Sequence, residues 1–103
     1  MDLRKILQAA VDAGASDIVL KDGRPPMFRI GGDLVASQGA ALRAEELTEA
    51  AKSILPDDAH RMRFATERHA DLAFDAAGLG RFRVHVFHQR GTVGMVEIGR
   101  AHV

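Results

Sequence analysis

The sequence has no cysteine. Disulfides and thiolate metal sites are therefore excluded, and a reducing compartment fits. It also has no net charge: Lys+Arg and Asp+Glu both number 14. A neutral chain has no global field to draw in nucleic acid or an anionic membrane, so either role would need a local patch. No apolar run approaches the roughly 20 residues that span a bilayer. The start, Met1-Asp2-Leu3-Arg4-Lys5-Ile6-Leu7, lacks the apolar stretch of a signal peptide. Internal repeats and low-complexity tracts are missing. So are the usual catalytic signatures: no phosphate loop of the form Gly-x-x-x-x-Gly-Lys-Ser/Thr, no Gly-x-Gly-x-x-Gly and no Gly-x-Ser-x-Gly elbow. Ser16, Ser37 and Ser53 have no partner pattern that would mark a nucleophile. The expectation is a cytoplasmic chain with no catalytic residues, no metal site, no nucleic-acid partner and no membrane insertion.

What is present is enough for one modest core: 103 residues, 47% hydrophobic and 27% charged. Leu3, Ile6, Leu7, Ala10 and Val11 recur at helical spacing, with Asp2 placed to cap the start and Gly14 to end it. Asp17 to Leu20 reads as a short strand. Pro25-Pro26 forces extended backbone, and Met27–Ile30 and Leu34–Ala36 flank Gly31-Gly32-Asp33 as a tight hairpin. Ala44 to Leu55 is a second helix with Glu45 and Glu46 in its first turn but Arg43 at the cap, where the usual side-chain oxygen is missing. Pro56 ends it, and Pro56-Asp57-Asp58 opens a third helix through Met62 and Phe64. Strands are expected at Asp71–Asp75, Arg81–Phe87 and Thr92–Val96. The order gives an α+β fold: an antiparallel sheet with helices packed on one face.

Three residue groups carry possible chemistry. Five histidines invite a metal reading, but His85 and His88 fall on opposite faces of one strand, so they do not converge. Asp71 and Asp75 share a strand face; without a pocket or third group they read as solvated or capping acids rather than an acid–base pair. Arg81 and Arg83 leave one strand face together, with Phe82, Val84 and Val86 on the other, and Arg90 follows in the next turn. A guanidinium pair suits phosphate or carboxylate. The plainer alternative is a solvated face whose arginines pair with Asp71 or Asp75 across the sheet. Phe82 points away from the arginines, so this is not a stacking platform for bases.

Gly78-Leu79-Gly80-Arg81-Phe82-Arg83-Val84, then Val86-Phe87 and Gln89-Arg90, resembles the signature of PilT/PilU-type pilus retraction ATPases. Gly14-Ala15-Ser16-Asp17, Pro25-Pro26-Met27 with Arg29 and Gly32-Asp33-Leu34, and Glu67 to Phe74 agree with further family elements in order, so the resemblance runs from Leu3 to Val96. Val93-Gly94-Met95-Val96 leans toward the PilU branch. The chain departs from the pattern where Val19 replaces a His, where Arg43-Ala44 replaces Thr-Pro, and at His85, where Asn or Ser is frequent.

The resemblance implies a PAS-like N-terminal domain over residues 1–96, linked in the parent to a RecA-like ATPase domain that this chain does not contain. It implies a homo-hexamer, ATP and Mg2+ as the parent's cofactors, and work at the inner-membrane platform of the pilus machine. It carries to Arg81, Arg83 and Arg90 a contact with nucleotide held on the ATPase domain. Residues 97–103 are expected to be a non-native tail, because Ile98 to Val103 can be encoded by ATC GGA AGA GCA CAC GTC, a stretch of a common sequencing-library adapter. The other readings are a free-standing PAS-like interaction module and the front domain of a secretion or pilus-assembly ATPase.

Overall fold

A computed structural model describes residues 1–76, 78–89 and 92–98; at Phe74, Gln89 and residues 92–98 it describes the backbone only. Helix α1 spans Leu3–Asp12, and the Asp2 side chain accepts from the Lys5 amide at its start. Its Leu7 and Ala10 are buried, with Leu3, Ile6 and Val11 packed alongside. The chain leaves the helix through Gly14 at φ 74, where a side chain would be strained. Strands β1 (Asp17–Leu20), β2 (Met27–Ile30) and β3 (Asp33–Ala36) follow. Gly31 and Gly32 both have positive φ between the paired Ile30 and Asp33. That is the two-residue turn whose twist matches the strands it joins.

The Pro25-Pro26 segment is pinned to the approach to the second helix. Gly23 donates to the Leu42 carbonyl and Leu42 to that of Arg24, each at 2.8 Å. Helix α2 (Ala44–Ile54) buries Leu47, Ala50, Ala51 and Ile54. Arginine cannot accept a bond from the helix amides, but Glu46 reaches back and accepts from the Arg43 amide at 3.1 Å. Half of a capping box thus stands where the sequence lacks the usual oxygen. Helix α3 (Asp58–Glu67) is capped by Asp57, which accepts from the His60 amide at 2.9 Å. It ends on Arg68 in the left-handed region, φ 67.

Strands β4 (His69–Ala76), β5 (Gly80–Gln89) and β6 (Thr92–Ile98) complete one six-stranded antiparallel sheet in the order β3-β2-β1-β6-β5-β4. The first hairpin and the last meander therefore join through β1 and β6. All three late strands run longer than their alternation predicts. For β4 the cause is Arg68: its left-handed turn starts the strand at once, and its carbonyl accepts from the His88 amide at 2.9 Å. Glu97 and Ile98, placed by the sequence in a non-native tail, are the last residues of β6; residues 99–103 lie outside those described.

The sheet has two unlike faces. On one, Ile18, Leu20, Phe28, Phe82, Val84 and Val86 are buried with the apolar sides of the helices in a single core. At about 25 cal/mol per Å² of apolar surface, this packing supplies most of the folding drive. The other face of β4 and β5 is open, as the strict alternation of β5 requires.

Candidate functional site

The open face is ordered by the β4–β5 register. Asp75 stands opposite Arg81, Ala73 opposite Arg83, Asp71 opposite His85 and His69 opposite Phe87. Directly opposed side chains on one face are close enough to interact. Arg81 Nε lies 3.6 Å from Asp75 Oδ1, with both side chains mostly exposed. His85 Nδ1 lies 2.8 Å from Asp71 Oδ1. The His85 ring stacks with Phe87 at 5.7 Å and tilts toward His69 at 6.2 Å.

Arg83 differs from both neighbours. Its partners in register are Ala73 on β4 and Ile98 on β6, neither of them charged. Among the described residues it makes no ion pair, and it is exposed. Arg81 and Arg83 do share a face, as expected, while Arg90 lies outside the described residues. The arrangement offers one committed guanidinium and one uncommitted one, both open to an incoming anion.

The remaining histidines separate as the alternation requires. His88 turns to the helix side, where its ring stacks on Phe64 at 4.6 Å and 20°. Burial, and then the Arg68 charge, hold its pKa below the ordinary value. His60 bonds Asp57 at the start of α3. Among the described residues no group of three or more His, Cys, Asp or Glu could hold a metal ion.

Sequence reasoning missed a second polar cluster. The Met1 amine lies 2.6 Å from Glu46 Oε2, in an open cleft between α1 and α2 lined also by Arg4, Arg43, Glu49 and Ser53. That amine, then the Arg43 amide, lower the Glu46 pKa to about 2. No local pattern links residues 1 and 46; only the packing of α1 on α2 brings them together.

No family model matches the chain. Two curated proteins of Pseudomonas aeruginosa do, each over 96 residues and 93% of the chain: the type IV pilus ATPase PilU at 33% identity and the type IV pilus retraction ATPase PilT at 32%. A crystal structure of the pilus retraction motor PilT with bound ADP superposes over the whole chain with a TM-score of 0.91 and 32% identity, covering 30% of that protein. The chain belongs to the PilT/PilU-type ATPase family. It corresponds to the N-terminal part of such an ATPase and spans about a quarter of the length of these curated relatives, 25% of PilU and 28% of PilT. Identities of 33% and 32% do not separate the PilU from the PilT branch. The Legionella pneumophila ATPase DotB shares the fold, with a TM-score of 0.76 at 21% identity over 93% of the chain and 27% of DotB. Among the described residues no helix is long and apolar enough to cross a membrane.

Proposed function

We propose that this chain is the front domain of a type IV pilus retraction ATPase, and that it couples nucleotide state to movement against an ATPase domain. The observation that carries this reading is the match to PilU and PilT over 93% of the chain, together with the full-length superposition on PilT. In this reading the parent hydrolyses ATP with Mg2+, works as a homo-hexamer in the cytoplasm, and acts on the inner-membrane platform of the pilus.

The domain's own part is electrostatic. It has no loop to cradle phosphates, so nucleotide must be held by the ATPase domain. What the open face of β5 supplies is guanidinium groups. Arg81 and Arg83 present planar, permanently charged donors that fit phosphate oxygens. A contact made only when the phosphate is present makes closure of the two domains depend on nucleotide. Arg90 completes the set by its position in the signature.

The test is complementation of a retraction-deficient strain with the full-length gene carrying Arg81→Ala and Arg83→Ala together. Loss of twitching, with the protein still folded and expressed at the parental level, is the expected result. Full twitching by the double variant would reject the assignment.

A further inference from the structure

The two arginines of the open face are not equivalent, and the difference lies in the strand beside them. Across from Arg81 the sheet places Asp75, 3.6 Å away; across from Arg83 it places Ala73. On its other side Arg83 meets Ile98 in register. His85, the next residue on this face, is held by Asp71 at 2.8 Å. The charges of Arg81, Arg83, Asp71 and Asp75 cancel, yet they are not evenly shared. Arg83 is the cation that the face leaves without an acid opposite.

We infer that Arg83 is the guanidinium that engages nucleotide phosphate directly, and that Asp75 is a built-in competitor that holds Arg81 until phosphate displaces it. This rests on the reading of the face as nucleotide-facing. Asp75 is a carboxylate where the ligand brings a phosphate, so it stands in for that anion in the open state. The Arg81 and Asp75 side chains are 65% and 77% exposed, and exposed pairs of this kind are weak. An incoming polyphosphate, with more charge and more oxygens, takes Arg81 from it readily. Arg83 needs no such exchange. Its contact costs only the ordering of its own side chain. Asp75 is thus a positioning residue that sets the threshold for domain closure.

The test is steady-state ATP hydrolysis by the full-length parent, comparing Arg81→Ala, Arg83→Ala, Asp75→Asn, the Arg81→Ala/Asp75→Asn pair and the Arg81→Ala/Arg83→Ala pair. Arg83→Ala is expected to raise the KM for ATP about tenfold or more, the usual scale for a lost charge-assisted bond. Arg81→Ala is expected to raise it less than about threefold. Asp75→Asn is expected to lower KM about twofold with kcat unchanged, and to have no effect once Arg81 is gone. Should Arg83→Ala fail to fold, Arg83→Gln keeps the stem and asks the same question. The inference is overturned if Arg81→Ala costs as much as Arg83→Ala, or if Asp75→Asn lowers KM equally without Arg81. If removing both arginines leaves KM and kcat unchanged, the nucleotide-facing reading itself fails, and the division of roles with it.

Discussion

Phe82 and Arg83 are consecutive residues of β5, and the fold gives them opposite fates. Phe82 is 2% exposed and among the largest fully buried side chains, whereas Arg83 stands on the open face. An aromatic side chain buries at least about 150 Å², which at about 25 cal/mol per Å² amounts to about 4 kcal/mol. Phe→Ala changes in cores cost about 3–5 kcal/mol, in agreement. A domain of this size has about 5–15 kcal/mol of stability in all, and each kcal/mol is worth roughly 4–8 °C in Tm. Phe82→Ala is therefore expected to lower Tm by about 15 °C or more, or to leave the domain unfolded at room temperature. Arg83→Ala removes no packed surface and is expected to stay within about 0.5 kcal/mol of the parent. Thermal melts followed by circular dichroism read both. Equal losses for the two variants, or a shift below about 4 °C for Phe82→Ala, would refute the assignment of the faces of β5.

Further expectations rest on single groups. The Glu46 carboxyl is held down to about 2, first by the Met1 amine and then by the Arg43 amide, from an ordinary 4.5. Its contribution is thus full above pH 4.5 and lost as pH falls toward about 2. Melts across that window should show a steeper decline for the parent than for Glu46→Gln. His88 has the same sign for a different cause: burial against Phe64 disfavours its charged form, so the unfolded chain takes up the proton first. Parent stability should fall as pH drops below about 6.5, and His88→Phe, which keeps the stack, should flatten that slope. Arg68 pays for a left-handed backbone at φ 67. Arg68→Gly should raise Tm by a few degrees, the scale of about 0.5–1 kcal/mol.

Local pattern carried much of the fold. The period of α1 and its Asp2 cap, the Gly31-Gly32 turn, the Pro56 stop and the alternation of β5 are each properties of a few neighbouring residues. Among the described residues the helices and strands lie on these signals, with β4, β5 and β6 running past the bounds the alternation gives. What pattern does not hold is partnership across distance. That β1 pairs with β6 depends on how the whole chain closes. That Asp75 and not Asp71 meets Arg81, while Arg83 meets alanine, depends on a register set by the turn between β4 and β5. The Met1–Glu46 pair and the Phe64–His88 stack arise only when helices pack on other elements. The arginine face was legible as a pair on one side of a strand; its asymmetry was not, because the neutral residue beside Arg83 lies on another strand.

In the proposed reading this face serves nucleotide held on an ATPase domain. ATP turnover by the purified full-length parent, with and without Arg81→Ala/Arg83→Ala, tests it most directly. In the double variant kcat/KM is expected to fall at least about tenfold, the scale of a lost charge-assisted contact, with Tm unchanged. Turnover equal to the parent's, in a folded double variant, would contradict it.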